Sequence, residues 1–314
     1  MRILVTGGAG FIASHIVDAL IEQRHTVAVV DKLSTGFVEN INKRARFYPI
    51  DILDDALEDV FAVFRPEVVI HHAAQIDGQM SLRQPRFDAE TNIIGTLNVL
   101  ERCIEHKTRK IICASSAAVY GPPAAPVIRE DHPIRPLTGY GISKYTSETY
   151  IRMYGEQHNL DFTILRYANV YGERQGAKGE AGVVSIFADR LLAGEAPIIY
   201  GDGEQVRDFI YVKDVVAANL QALSLGHCCT VNIGTGERTS VNRLFGFLRD
   251  LTGSGTQPVY QAERTGDIKH SCLDNTLAAS VLAWRPVHTL ESGLASTVRD
   301  RAGLAVTARN QTTL

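Results

Sequence analysis

The chain has 314 residues, which is enough for two domains or for one large α/β unit with a sizeable core. Residues of the AVILMFWYC set make up 45% and charged residues 21%, which argues against a disordered, coiled-coil or collagen-like chain. The 32 lysines and arginines nearly balance the 35 aspartates and glutamates, so the net charge of -3 predicts neither nucleic acid nor an anionic membrane as a partner.

The cysteines and the apolar runs predict a cytoplasmic protein. The 5 cysteines are odd in number and form no CxxC pair, as expected of free thiols in a reducing compartment. Gly7, Gly8 and Gly10 interrupt the first apolar run, and no run reaches the roughly 18 residues of a membrane span. The 10 histidines show no metal-ligand spacing with the cysteines, so no metal is predicted.

The first half alternates short β-branched runs with longer segments of helical period, which is typical of βαβ units on a parallel sheet. Six strands are predicted, each nearly continuously apolar, as strands covered on both faces must be. They span residues 2–6, 26–31, 46–50, 68–73, 110–115 and 162–166. Crossover helices are predicted between them, among them 92–104 and 140–154. The pattern indicates an α/β fold with a doubly wound parallel sheet of the Rossmann type.

After Gly172 the pattern loosens, and polar, glycine-bearing segments alternate with shorter helical patterns. Residues 1–172 are predicted to form the Rossmann domain. Residues 173–302 are predicted to form mainly a smaller C-terminal substrate domain, some of whose segments return to the sheet. Residues 303–314 have no apolar period and are predicted to be a loose tail.

A glycine-rich turn joins the first strand to the first helix. Gly8 and Gly10 let the backbone approach a pyrophosphate, whose charge then meets the helix N-terminus; Ala13 takes the place of a third glycine and still permits close packing. Asp31 closes the second strand 24 residues after Gly7, where a carboxylate binds ribose hydroxyls and repels a 2′-phosphate. The motif predicts NAD rather than NADP as the cofactor of the Rossmann domain. A glycine turn without a ligand is the alternative.

Tyr140 and Lys144 lie four residues apart, on one face of a predicted helix. Ser116 belongs to a serine cluster at the carboxyl end of the fifth strand, the edge at which doubly wound sheets hold ligands. A free phenol has a pKa of about 10, but a nearby ammonium and an oxidised nicotinamide both favour the phenolate. Tyr140 is therefore a candidate general base with Ser116 facing it, although the same spacing also occurs on ordinary amphipathic helices.

The segments TGGAGFIA, SSAAVYG, YGISK and RYANVYG, together with Asp31, resemble the extended short-chain dehydrogenase/reductases of the NAD-dependent epimerase/dehydratase family over nearly the whole chain. Among these the sequence is most similar to nucleotide-sugar 4-epimerases of the UDP-glucose (UDP-galactose) type. The resemblance implies that bound NAD takes a hydride from C4 of a UDP-sugar and returns it to the other face of the 4-keto sugar. It also implies that Tyr140 takes the 4-hydroxyl proton, that Ser116 hydrogen-bonds that oxygen, and that the protein is a homodimer.

The same resemblance implies two sets of binding residues. The residues implied to bind NAD are Gly7, Gly10, Phe11, Ile12, Asp31, Lys32, Leu33, Ser34, Thr35, Gly36, Asp51, Ile52, Ala73, Ala74, Gln75, Asn92, Tyr140, Lys144 and Tyr167. Those implied to bind the UDP-sugar are Ser116, Tyr140, Asn169, Val183, Val184, Ile199, Tyr200, Arg207, Arg264, Asp267 and Ser271. The two arginines suit a diphosphate because a guanidinium binds phosphate oxygens as a fork. Without the resemblance, they would be read as surface ion pairs.

Related enzymes offer alternative functions. Sugar 4,6-dehydratases and glucuronate decarboxylases resemble the chain but carry acidic residues where it has Ala117 and Ala118, and alanine can neither remove nor supply a proton. A keto-sugar reductase generally draws on NADPH, which Asp31 disfavours. A non-catalytic dinucleotide sensor has no need of Ser116, Tyr140 and Lys144 together. A UDP-uronate 4-epimerase stays open.

Three further positions carry predictions. Relatives restricted to plain hexoses are expected to have a bulky tyrosine at the position of Ser271, so the smaller serine predicts that an N-acetylhexosamine is also accepted. His71 and His72 end the fourth strand, and one or both are predicted to be packed, hydrogen-bonded histidines rather than catalytic ones. The adjacent Cys228 and Cys229 are predicted to be a buried pair of thiols.

Overall fold

The computed structural model describes residues 1–176, 182–263 and 268–312. The strands in these ranges are β1 Arg2–Thr6, β2 Thr26–Val30, β3 Arg46–Tyr48, β4 Val68–His71, β5 Lys110–Ser116, β6 Asp161–Tyr167, β7 Asn169–Tyr171, β8 Ile198–Tyr200, β9 Val206–Arg207, β10 Phe209–Tyr211, β11 Cys229–Ile233, β12 Thr239–Ser240 and β13 Val259–Gln261. The α-helices are α1 Phe11–Glu22, α2 Leu57–Phe64, α3 Gly78–Arg83, α4 Pro85–Ala89, α5 Gly95–Glu105, α6 Gly139–His158, α7 Val183–Leu192, α8 Val212–Ala222, α9 Val241–Thr252, α10 Thr276–Val281 and α11 Leu290–Thr312. A π-helical turn, Glu90–Ile94, leads into α5.

The centre of the molecule is a seven-stranded parallel sheet in the order β11-β6-β5-β4-β1-β2-β3. The strand order reverses between β1 and β4, which confirms the predicted doubly wound α/β class. Alternate residues of each central strand point to opposite faces, so Ile3 and Val5 join the apolar cluster on one face while Leu4 joins that on the other. Three of the predicted strands end one or two residues earlier than expected, because β2, β3 and β4 give way to the loops that form the site.

The seventh strand comes from the second half of the chain. Strand β11 pairs in parallel with β6, with Cys229 opposite Thr163 and Ile233 opposite Tyr167. Its Val231 and Ile233 side chains are fully buried, as expected of β-branched residues in a sheet covered on both faces. The helix before it, α8, packs against α1. The sheet therefore draws on both sides of residue 172.

The remaining part of the second half forms a smaller unit beside the carboxyl edge of the sheet. Helices α7, α9 and α11 pack together around an apolar cluster that includes Phe187, Leu244 and Leu294. Three short two-stranded sheets accompany these helices. Strand β10 pairs with β7, β9 pairs with β12, and β8 pairs with β13. None of the helices in the described ranges is long and apolar enough to cross a membrane.

The last helix extends into the segment that is predicted to be a loose tail. Helix α11 continues through residues 303–312, where the sequence analysis expects a loose tail. No glycine or proline follows Gly303 in this segment, so nothing in its backbone chemistry ends the helix.

Candidate active site

The turn between β1 and α1 requires its glycines. Gly7 has a φ of +70°, and a Cβ atom there would lie 2.7 Å from the backbone nitrogen of Ala73. A Cβ atom on Gly8 would lie 2.7 Å from a side-chain methyl of Val29 on β2. Gly10 is extended and precedes the first turn of α1, so the unpaired N–H groups of this helix open onto a cavity.

A nucleotide cavity of about 270 Å³ lies between the ends of β1, β2 and β4. The Asp31 carboxylate is held at its wall because it accepts hydrogen bonds from the backbone N–H groups of Ala9 (2.9 Å) and Leu33 (2.8 Å). The Lys32 ammonium lies 2.8 Å from the Asp51 carboxylate. The predicted NAD residues that line this cavity are Gly7, Gly10, Asp31, Lys32, Ser34, Thr35, Gly36, Asp51, Ile52, Ala73, Ala74 and Gln75.

A catalytic cavity of about 580 Å³ adjoins the nucleotide cavity, and Gly7, Gly10 and His72 line both. The predicted residues that it brings together are Phe11, Ile12, Ser116, Tyr140, Lys144, Tyr167 and Asn169. They come from the carboxyl ends of β5 and β6, the start of β7, the first turn of α1 and the first two turns of α6. Candidate acid/base groups and a candidate dinucleotide site therefore share one continuous space.

Helix α6 begins at the catalytic cavity and places Tyr140 and Lys144 there. The Thr138 hydroxyl caps the helix by accepting a hydrogen bond from the Gly141 N–H at 3.2 Å. Lys144 is buried, and its ammonium donates to the carbonyl of Ala114 on β5 at 2.8 Å. Burial lowers the pKa of Lys144. The hydroxyl oxygen of Ser116 accepts from the Ala118 N–H at 3.1 Å, so its own proton can be donated to a ligand.

A buried ion pair behind these groups is missing from the sequence analysis. Glu148 lies one helical turn after Lys144 and accepts two hydrogen bonds from the Arg166 guanidinium of β6, at 2.9 and 2.6 Å. It also accepts from the Ser115 hydroxyl at 2.6 Å. The pair therefore connects α6 to the strands that carry Ser116 and Tyr167. Glu148 lies four residues after Lys144 in the sequence, and this helical spacing is the signal that could have revealed the ion pair.

Asn92, which is predicted to bind NAD, is not among the residues that line the two cavities. It is buried within the π-helical turn, and its side chain accepts from the Gln75 N–H at 2.7 Å and donates to the Gln75 carbonyl at 2.8 Å. The same amide donates to the Ser143 hydroxyl of α6 at 3.0 Å. Gln75 lines the nucleotide cavity, whereas Asn92 stands behind it and fixes the backbone of the loop.

The two histidines at the end of β4, where His71 is the last strand residue and His72 follows it, are hydrogen-bonded, as the sequence predicts. His71 lies between the hydroxyls of Thr6 (2.7 Å) and Thr96 (3.1 Å). His72 Nε2 lies 3.1 Å from the hydroxyl of Tyr167. Burial, with the nearby Lys144 ammonium, lowers the pKa of both histidines to about 3, so both rings are neutral at pH 7.

The predicted residues of the second half are less uniformly placed. Val184 and Ile199 are each 1% exposed and their side chains pack in the apolar core, so only their backbone can meet a ligand. Val183 is half-buried at the start of α7, and Gly182 before it lines the catalytic cavity. Tyr200 lines a separate cavity of about 450 Å³.

Arg207 and Ser271 are neighbours through the backbone of β9. The Ser271 N–H donates to the Val206 carbonyl at 3.1 Å, and a guanidinium nitrogen of Arg207 donates to the same carbonyl at 3.0 Å. The other two predicted substrate residues, Arg264 and Asp267, lie outside the described residues. The predicted buried thiol pair is wrong, because Cys228 is exposed in a turn with a φ of +46°.

A family profile, a relative and two solved structures all indicate the same family for this chain. Residues 3–234 match the profile of the NAD dependent epimerase/dehydratase family. The UDP-glucose 4-epimerase of Mycolicibacterium smegmatis is 41% identical over 95% of this chain and 97% of its own. A solved UDP-glucose 4-epimerase with UDP-glucose from Thermotoga maritima is 48% identical, with a TM-score of 0.96 over 97% of this chain and all of that one. A UDP-glucose 4-epimerase from Thermus thermophilus in complex with NAD is 39% identical, with a TM-score of 0.91 over 96% and 99%.

Proposed function

The chain belongs to the NAD-dependent epimerase/dehydratase family, and we propose that it is an isomerase that inverts C4 of UDP-glucose and UDP-galactose. The observation that carries the proposal is that Ser116, Tyr140 and Lys144 line one cavity, which adjoins a second cavity whose lining suits a dinucleotide. The similarity to UDP-glucose 4-epimerases along almost the whole chain supports the same activity.

The nucleotide cavity fits NAD by its chemistry. The glycine turn admits a pyrophosphate close to the backbone, and the Asp31 carboxylate suits ribose hydroxyls. The buried Thr91 hydroxyl oxygen on the wall has no partner among the described residues, which leaves it for a ligand. When bound, NAD supplies the hydride chemistry, in which C4 is oxidised to a 4-keto intermediate and then reduced on its other face.

The chain's own residues move the proton. The Tyr140 phenolate accepts the proton of the sugar 4-hydroxyl and returns it after the ring has turned. The Lys144 ammonium, buried beside it, favours the phenolate by its positive charge. The Ser116 hydroxyl donates a hydrogen bond to the same sugar oxygen and keeps it in line with Tyr140. A dehydratase needs a further acid/base pair, and Ala117 and Ala118 do not provide one.

The second half of the chain holds the nucleotide in this proposal. Arg207, with Arg264, binds the diphosphate, Asp267 binds ribose, and Asn169 contacts the diphosphate from the wall of the catalytic cavity. The backbone at Val183, Val184, Ile199 and Tyr200 contacts the uridine. Since the 4-keto sugar must turn over while the nucleotide stays in place, most of the affinity resides in UDP.

The substrate range extends to N-acetylhexosamines in this proposal. Ser271 follows His270 on the segment that runs beside β9. Its position relative to the sugar depends on the hydrogen bond from its backbone N–H to the Val206 carbonyl. A serine side chain lacks the phenol ring of a tyrosine, so the volume of that ring stays open. This space admits an N-acetyl group at C2 while the sugar turns.

We further propose a cytoplasmic homodimer. The helices that pack against one another around α6 carry exposed apolar side chains, among them Leu82 (55%), Ile94 (51%) and Ile142 (53%). Burial of these side chains against a second copy removes apolar area from water. Free cysteines, three of them buried, suit a reducing compartment. Light scattering of the purified protein measures the dimer directly.

The experiment that tests the function is an assay without added cofactor. Purified protein is incubated with UDP-galactose, and formation of UDP-glucose is measured by a coupled reaction. We expect turnover with no NAD in the buffer, and NAD among the small molecules released by denaturation. A panel of UDP-glucose, UDP-N-acetylglucosamine and UDP-glucuronic acid separates the hexose reading from the uronate one. Turnover of the uronate alone would contradict the proposal.

A further inference from the structure

The catalytic cavity is lined by a carboxylate that the proposed proton transfer does not use. Asp77 lies in the loop between β4 and α3, and it lines both the catalytic cavity and the nucleotide cavity. Among the described residues that line the catalytic cavity, those with a carboxylate, ammonium or guanidinium group are Asp77 and Lys144. Lys144 is buried, and its ammonium donates to the Ala114 carbonyl at 2.8 Å. The negative charge of Asp77 therefore needs a reason of its own.

Hydrogen bonds within the loop hold Asp77 in place and leave one of its oxygens available. Oδ1 caps α3 by accepting from the backbone N–H groups of Gln79 at 2.8 Å and Met80 at 3.1 Å. The backbone N–H and carbonyl of Asp77 are both bonded to the side-chain amide of Gln75. Oδ2 has no partner among the described residues, and it is not one of their buried unpartnered atoms, so it keeps surface open to solvent. The half-buried carboxylate can therefore meet a ligand through Oδ2.

The turning of the sugar brings its C6 group to both sides of the catalytic cavity. The nucleotide holds C1 and the reacting carbon is C4 in both poses, so the ring turns about the line from C1 to C4. This turn exchanges the edge that carries C2 and C3 for the edge that carries C5 and C6. A wall group beside the ring therefore faces the C6 substituent in one of the two poses.

We propose that Asp77 is a specificity-determining residue, whose carboxylate selects neutral UDP-hexoses and excludes UDP-uronic acids. In the pose that brings C6 to Asp77, a hydroxymethyl group donates a hydrogen bond to Oδ2, whereas a C6 carboxylate is repelled by the like charge. The described lining includes no arginine that could bind a C6 carboxylate as a fork. The inference rests on the proposed function, because it requires a UDP-sugar that turns in this cavity.

The substitution Asp77→Asn separates the charge of the side chain from its shape. The oxygen of the asparagine still accepts from the N–H groups of Gln79 and Met80, so α3 keeps its cap. Isothermal titration calorimetry of the NAD-loaded protein measures the affinities for UDP-glucuronic acid, UDP-glucose and UDP. We expect Asp77→Asn to bind UDP-glucuronic acid at least about ten-fold more tightly than wild type does. Its affinity for UDP, which has no sugar, should stay within about twofold of wild type.

Glu90→Gln is the matched control. Glu90 is exposed in the π-helical turn and lines neither cavity, so this change removes one negative charge outside the site and should leave the three affinities unchanged. If Asp77→Asn gains no affinity for UDP-glucuronic acid, or gains as much for UDP, the proposal is overturned.

A measurement on the unaltered protein does not depend on any variant folding. We expect wild type to bind UDP-glucuronic acid at least about ten-fold more weakly than UDP-glucose, and equal affinities would overturn the proposal. Turnover of UDP-galactose by the same wild-type sample is measured separately. Normal turnover with equal affinities would reject the role of Asp77 alone, whereas absence of turnover would reject the proposed function.

Discussion

The two regions that meet at the catalytic cavity supply their functional groups differently. The sheet region presents side chains, Ser116, Tyr140 and Lys144, from strand ends and one helix, and buried polar bonds hold each of those elements. The second region packs the side chains of Val184 and Ile199 into its own core, so it offers only backbone at these two positions, while Arg207 lies on the short strand β9. In the proposed function, the chemistry therefore resides on the edge of the sheet, while affinity and substrate range reside on the second region.

The largest expected effect tests how the buried ion pair stabilises the sheet region. Glu148→Gln leaves the Arg166 guanidinium buried without a counter-charge, so we expect the free energy of unfolding to fall by about 3–5 kcal/mol. Urea unfolding followed by circular dichroism measures it. The control is Glu105→Gln, which removes an exposed partner of Arg102 and is expected to cost less than about 1 kcal/mol. Similar losses of the free energy of unfolding for the two variants would show that the buried ion pair does not stabilise the sheet region.

The next effect concerns the proton. Tyr140→Phe removes the general base and keeps the ring, so we expect turnover of UDP-galactose to fall by at least about 100-fold while NAD stays bound. Steady-state kinetics and the absorbance of the released cofactor measure the two quantities. Tyr150→Phe makes the same change ten residues along α6, where the ring packs against the core, and should leave turnover within about threefold. Near-normal activity of Tyr140→Phe would remove Tyr140 from the mechanism.

A smaller effect is expected where the second region binds the diphosphate. Arg207→Ala removes a charge-assisted hydrogen bond, so we expect UDP to bind roughly 10-fold to 100-fold more weakly. Isothermal titration calorimetry with UDP measures it, and Arg243→Ala, an exposed arginine on α9, is the control. If the affinity of Arg207→Ala for UDP equals that of wild type, the assignment of Arg207 to the diphosphate is wrong.

The smallest effect on UDP-glucose is expected at Ser271. The bulk of Ser271→Tyr excludes an N-acetyl group but leaves room for a hydroxyl, so UDP-glucose turnover should stay within about threefold while UDP-N-acetylglucosamine turnover disappears. Ser271→Ala, which adds no bulk, should keep both activities. A wild-type protein that does not act on the N-acetyl sugar would contradict the argument from size.

Local spacing explains what the sequence predicts about the sheet region. The strand, glycine turn and helix at residues 2–22 are contiguous, so their relation to a pyrophosphate follows from turn chemistry alone. Tyr140 and Lys144 share a helix face because helical geometry brings residues four apart together. The order of the six apolar runs predicts the class of the sheet. None of these inferences needs a contact between distant parts of the chain.

Only the tertiary structure decides which distant groups meet. Packing brings His72 to Tyr167, 95 residues later, and Ser115 to Glu148, 33 residues later. The addition of β11 to the edge of the sheet, and the burial of Val184 and Ile199, likewise depend on how the second half docks. Sequence periodicity shows that a residue faces a core or a strand end, but the partner across that space is fixed by packing and register between elements that are remote in the chain.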